Sequence, residues 1–136
     1  MVPKPRNQDG PARILVVEDE VLVRSLLAEE LREAGFVVVE AADAREALAF
    51  LDADGGVDLM FSDIRMPGQL SGLDLARAVR ERRPDLPIVL TSGNQVSVPP
   101  SSLARFITKP YRMETAVQLV REELGRKRAS GDGPPA

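Results

Sequence analysis

Apolar residues fall along this chain in two alternating rhythms. Short continuous runs come first in each unit, and segments with a helical period follow. ILVV at 14–17 has the pattern of a strand buried on both faces. From Val21 to Ala34, the residues Val23, Leu26, Leu27, Glu30, Leu31 and Ala34 share one helical face, and Gly35 suits the position just past a helix. FVVVE at 36–40 reads as a second strand. Asp43 can cap the next helix, with Glu46 three residues on as the other half of a capping box, and that helix buries Ala44, Ala47, Leu48 and Leu51. LMFS at 59–62 is a third strand. A helix over about Leu73 to Arg83 follows, using Leu75, Ala76 and Val79 until Pro84 ends it. PIVLT at 87–91 and RFIT at 105–108 supply strands four and five. A last helix carries Met113, Ala116, Val117, Val120 and Leu124 on one face, with Gly125 after it.

This β-α alternation, repeated nearly five times, predicts an α/β fold with a parallel sheet covered by helices on both faces. The chain of 136 residues suits a single core. Residues 1–11 read as a flexible arm, 12–126 as the folded domain and 127–136 as a flexible tail. The absence of cysteine and histidine excludes disulfides, thiolate sites, imidazole-bound metals and Ser-His triads, so any bound metal must be a hard cation held by oxygen. A net charge of -3 with scarce aromatics gives no nucleic-acid signature. No apolar run reaches membrane-span length, and the start has no signal-peptide core, so the expected location is cytoplasmic.

Open sheets of this kind bind ligands beyond the carboxyl ends of their strands. Strand one ends in Glu18-Asp19-Glu20, strand three in Asp63, strand four in Thr91-Ser92-Gly93 and strand five in Thr108-Lys109-Pro110. Acids, hydroxyls and a lysine would meet on one rim if strands one, three and four are neighbours. Acids packed together repel unless a cation joins them, and Mg²⁺ takes a few carboxylates, carbonyls and waters. A lysine and a threonine hydroxyl could then hold phosphoryl oxygens. Those are the parts for phosphoryl transfer to a carboxylate. Glu20 reads as a solvated acid near a helix N-terminus, Ser92 as a residue small enough to admit a phosphoryl group, and Arg80, Arg82 and Arg83 as an exposed basic helix end.

ILVVEDE, FSDIRMPG, VLTSG and FITKPY, in that order, closely resemble the receiver domain of two-component response regulators, over roughly Arg13 to Gly125. The resemblance implies a flavodoxin-like, doubly wound five-stranded sheet of order 2-1-3-4-5 with five helices. It implies that Asp63 is the phosphoacceptor, taking its group from a histidine kinase or a histidine phosphotransfer protein. It implies that Glu18, Asp19, Asp63 and the backbone carbonyl of Arg65 hold Mg²⁺. Lys109 would contact the phosphoryl oxygens, Thr91 would be the switch hydroxyl and Phe106 the switch aromatic. The Lys109-Pro110 bond is usually cis in the family.

Two departures change the expectation. The loop from Pro67 to Gly72 is one residue longer than is usual in the family. The segment between Thr91 and Lys109 is several residues shorter, and NQVSVPPSSLA carries two valines and adjacent prolines that oppose a helix. The family's fourth helix is therefore expected to be missing, very short or irregular. With no output domain expected after Gly125, the function would be a phosphorelay switch that acts on an unknown downstream protein, without nucleic acid or membrane. It would be no enzyme beyond assisting its own phosphorylation and dephosphorylation. The alternative is a pseudo-receiver, a constitutive protein-binding module. Phosphatases and nucleases of related folds want Asp-x-Asp after strand one or three, where this chain has Glu18-Asp19-Glu20 and Asp63-Ile64-Arg65.

Overall fold

A computed structural model describes residues 10–53, 55–66, 68, 70–93 and 99–132, with side chains through 126. The elements run β1 (Arg13–Val17), α1 (Val21–Glu33), β2 (Val37–Ala41), α2 (Ala44–Asp52), β3 (Leu59–Asp63), α3 (Gly72–Arg82), β4 (Ile88–Ser92), β5 (Arg105–Thr108) and α4 (Met113–Asp132). The five strands form one parallel sheet in the order β2-β1-β3-β4-β5. β3 and β4 are buried along their whole length, which is why their sequences are continuously apolar until the last residues. Two apolar layers flank the sheet. Alternate strand residues such as Leu15, Met60, Ile88 and Leu90 pack with Ala47, Leu51, Leu75 and Val79 of α2 and α3. Ile14, Val16, Leu59, Phe61 and Val89 face the other way, onto Leu27, Leu31, Ala116 and Val120 of α1 and α4.

Among the described residues no helix lies between β4 and β5, so the fourth helix expected of the family has no counterpart and the fold has four helices. Residues 94–98 lie outside the described residues; a turn over 101–103 leads into β5. A side chain from α3 reaches this connection. Arg80 donates to the carbonyls of Pro84 (2.8 Å), Leu86 (2.6 Å) and Leu103 (2.6 Å). Arg80 therefore does not belong to an exposed basic end, and Arg83 too turns back, to the Leu51 carbonyl at 3.2 Å. Only Arg82 of the three is exposed, paired with Asp52 at 2.8 Å.

Three helix readings need correction. The buried stripe of α1 is Leu27, Ala28 and Leu31, while Leu26 is 47% exposed. The sheet and α4 set that rotation, and a period of 3.6 alone cannot distinguish two adjacent stripes. α4 runs through Gly125 to Asp132, into the segment read as a tail. A helical glycine costs only about 1 kcal/mol relative to alanine, and the residues flanking it are good helix formers. Asp43 caps α2 as expected, accepting the Glu46 amide at 2.8 Å, but the Glu46 carboxylate takes the amide of Ala42 rather than that of the cap residue.

Candidate functional site

The strand order places β1, β3 and β4 side by side, so their carboxyl ends form one rim. Asp63 pairs in register with Thr91 and is the last residue of β3. Its position is tightly built from below. The amide of Ile64 donates to the Thr91 carbonyl at 2.9 Å, and the amide of Gly72 donates to the Ile64 carbonyl at 2.8 Å. This brings the start of α3 so close that a Cβ on Gly72 would collide with the backbone of Asp63 and Ile64. Glycine is required there by lack of space. Ser71 and Asp74 form a reciprocal capping box that holds this helix start, an S-x-x-D signal the sequence carried and sequence reasoning missed.

Glu18 and Asp63 are both buried, at 5% and 6% exposure, while Asp19 is exposed. One carboxylate oxygen from each of the three lies within 4.8 Å of the other two. Lys109, at the end of β5, enters between them: its Nζ donates to Asp63 Oδ2 at 2.7 Å and to Glu18 Oε1 at 3.1 Å. The Lys109 amide is anchored to the Ser92 carbonyl at 3.0 Å, and the Lys109-Pro110 bond is cis. Ser92 is itself buried. Asp63 Oδ1 accepts the Arg65 amide at 3.0 Å, and Glu18 Oε2 accepts the Glu20 amide at 3.1 Å. Glu20 is exposed at the start of α1, as expected of a solvated acid.

Charge explains the arrangement. Burial pushes the Glu18 carboxyl above its usual range; the Glu20 amide pulls it back, the Asp63 charge adds to the rise, and Lys109 opposes it. Burial alone would pull the Lys109 ammonium down, but the hydrogen bonds and charges of Asp63 and Glu18 outweigh it and hold Lys109 above its ordinary value. One lysine thus faces three carboxylates, and the cluster is short of positive charge. All the donors are oxygens, which suits a hard divalent cation. Thr91 is 2% exposed, and its Oγ1 finds no hydrogen-bond partner among the described residues. With no acceptor among the described residues, this buried hydroxyl one strand over from Asp63 is placed to donate to a group bound at that carboxylate.

The chain matches the family model for the response regulator receiver domain over residues 14–121. It belongs to that family. It is 33% identical to the sensor kinase CckA of Brucella abortus over 132 residues, 93% of this chain and 14% of that protein. It is 37% identical to the response regulator MprA of Mycolicibacterium vanbaalenii over 85% of this chain and 52% of that one. The receiver therefore spans at most about half the length of these curated relatives. The crystal structure of the receiver domain from the hybrid histidine kinase CckA aligns with a TM-score of 0.72 at 37% identity, covering 82% of this chain and 98% of that one. The response regulator TrrA of Thermotoga maritima, solved in complex with Mg²⁺ and BeF, aligns with a TM-score of 0.74 at 32% identity, over 82% and 98% of the two chains.

Within the receiver, the remaining candidates fall at different distances from the rim. Arg65 is exposed directly after the acid cluster. Phe106 lies one strand further out, paired in register with Leu90, half-buried against the α2–α3 layer and along a groove with Arg105, Glu114 and Leu119. It is not part of the acidic cluster. Two residues beside the rim escaped sequence reasoning. Tyr111 packs its ring against Phe61 at 5.9 Å, and burial raises its hydroxyl to about 12, with Glu18 and Asp63 adding to the rise and Lys109 opposing it. Arg24 donates through Nη1 to the Glu18 carbonyl at 2.7 Å. Tyr111 closes the FITKPY motif but was given no role from sequence, and Arg24 lies outside every strand-end motif, so pattern gave no signal for it.

Proposed function

We propose that this receiver takes a phosphoryl group from a partner's phosphohistidine onto Asp63, in a Mg²⁺-dependent step, and that the modified domain changes its contacts with a downstream protein. The single observation that carries this reading is the rim itself: a buried carboxylate, a lysine bonded to it, two further acids within 4.8 Å and a buried hydroxyl with no partner among the described residues. In the transfer, the phosphorus–nitrogen bond of the phosphohistidine breaks and its electron pair returns to the imidazole, which takes a proton. A bond forms between phosphorus and an Asp63 carboxylate oxygen. Lys109 shifts from the carboxylate to the incoming phosphoryl oxygens, and Thr91 donates its hydroxyl to one of them. Glu18, Asp19, Asp63 and the Arg65 carbonyl would hold the Mg²⁺, whose charge would offset that building on the phosphoryl oxygens. The chain has no site for turnover of an external substrate in this reading, and its location is cytoplasmic, beside its kinase or phosphotransfer donor.

Intact mass after incubation with acetyl phosphate tests the proposal. Wild type should gain one phosphoryl group only with Mg²⁺, and Asp63→Asn should gain none. No gain in wild type, together with no response to beryllofluoride, would overturn it and leave a protein-binding module without phosphorylation.

A further inference from the structure

Arg24 lies on α1, outside the acid cluster, yet its side chain is only 17% exposed. Side chains on a helix lean toward its N-terminus, so Arg24 reaches back over the first turn to the end of β1. There its Nη1 donates to the carbonyl of Glu18 at 2.7 Å. Its Nε lies 3.4 Å from Glu40 Oε1 on β2. Glu40 is held in turn by Arg32 at 3.2 Å, and Arg32 also donates to the Val38 carbonyl. The Glu18 amide meanwhile pairs with the Ala41 carbonyl at 3.1 Å. Both backbone groups of Glu18 are therefore tied toward β2, one by the strand ladder and one by a guanidinium.

We infer that Arg24 is a positioning residue that fixes the turn Glu18–Glu20 and so sets the placement of two of the three candidate cation ligands relative to Asp63. The inference rests on the Mg²⁺ reading above. Its physical basis is geometric. Asp63 is held by β3 and α3, independently of this turn, whereas Glu18 and Asp19 can match it only if the turn does not relax. Arg24 hydrogen-bonds the Glu18 carbonyl through Nη1 while its charge pairs with Glu40 at 3.4 Å without a hydrogen bond. A planar guanidinium presents both ends in a fixed geometry, whereas a lysine ammonium is a point charge on a flexible stem. Electrostatics alone makes the opposite prediction. Arg24 is a cation near a cation site, so removing its charge should tighten Mg²⁺ binding. A positioning role weakens it.

The test is calorimetric Mg²⁺ titration of the full chain, well below its melting temperature, for wild type, Arg24→Met and Arg24→Lys. Amide exchange at Glu18 and Glu20 without metal accompanies it. Arg24→Met should bind Mg²⁺ roughly tenfold more weakly, the scale at which groups that orient metal ligands act. Arg24→Lys should also bind more weakly although it keeps the charge, and both variants should exchange the two amides faster. Unchanged or tighter binding by Arg24→Met overturns the inference. So does wild-type affinity in Arg24→Lys, which would mean that the guanidinium geometry does not set the turn. If wild type itself takes up no Mg²⁺, the metal reading fails and this inference falls with it; if wild type binds and the variants match it, the inference alone fails.

Discussion

Tyr111 is the single tyrosine of a chain without tryptophan, and it sits beside the acid rim. Its titration is therefore readable without interference. Burial raises its folded pKa from 10.0 to about 12, so the fold favours the neutral phenol. A raised folded pKa means that this contribution is complete below pH 10 and disappears as pH climbs through about 12. The near-ultraviolet tyrosinate band of the native protein should rise with a midpoint near 12. Relative to Tyr111→Phe, wild type should lose on the order of 2 kcal/mol of stability by the end of that window, measured by urea unfolding at a series of pH values. A midpoint near 10 would place the ring in water. The same residue shows how local chemistry depends on neighbours far off in sequence: Phe61 of β3 packs against its ring, and Glu18, just past β1, contributes to its shift.

At the scale of elements, the connection between β4 and β5 shows no helix among the described residues and is held by other anchors. Leu103 and Ala104 donate to the Pro100 carbonyl, and Arg80 of α3 caps the Leu103 carbonyl. Arg80 thus ties the α3–β4 loop to the segment that delivers β5, the strand that carries Phe106 and runs directly into Lys109. Arg80→Met should cost about 1–3 kcal/mol, since it leaves half-buried carbonyls without a donor. It should also speed amide exchange at Leu103 and Ala104 more than at core strand positions. Equal exchange in variant and wild type would mean that the turn holds itself. Sequence pattern anticipated the loss of the helix from its prolines and valines. It could not anticipate Arg80, because arginines near a helix C-terminus ordinarily serve the helix dipole from the solvent side.

Across the whole molecule, the acid rim is a local excess of negative charge that the rest of the fold must hold together. A cation that binds only the folded rim adds stability by mass action, about 2.7 kcal/mol at a hundredfold excess over its dissociation constant. Mg²⁺ should therefore raise the urea midpoint of wild type at neutral pH, and the rise should shrink or vanish in Asp63→Asn, which loses a ligand. An equal rise in both proteins would assign the effect to general screening instead. The small domain has two apolar layers on one sheet, so unfolding should be cooperative and this midpoint well defined.

The linear order of residues was enough for the architecture and for the identity of the rim. Alternating strand and helix periods pointed to a covered parallel sheet with its chemistry at the strand ends, and the resemblance to receiver domains supplied the strand order and so the grouping of Asp63, Glu18, Asp19, Thr91 and Lys109. Tertiary structure alone decided which groups touch. The Lys109 bridge between Glu18 and Asp63, the steric need for Gly72, the inward turn of Arg80 and the hold of Arg24 on the β1 turn all join residues from different strands or from a helix and a distant loop. So does the burial of Ala28 in place of Leu26, since a helix's own period cannot say which of two neighbouring stripes the sheet will cover. Periodicity is a property of one segment; a contact between segments depends on how both are placed, and only packing supplies that.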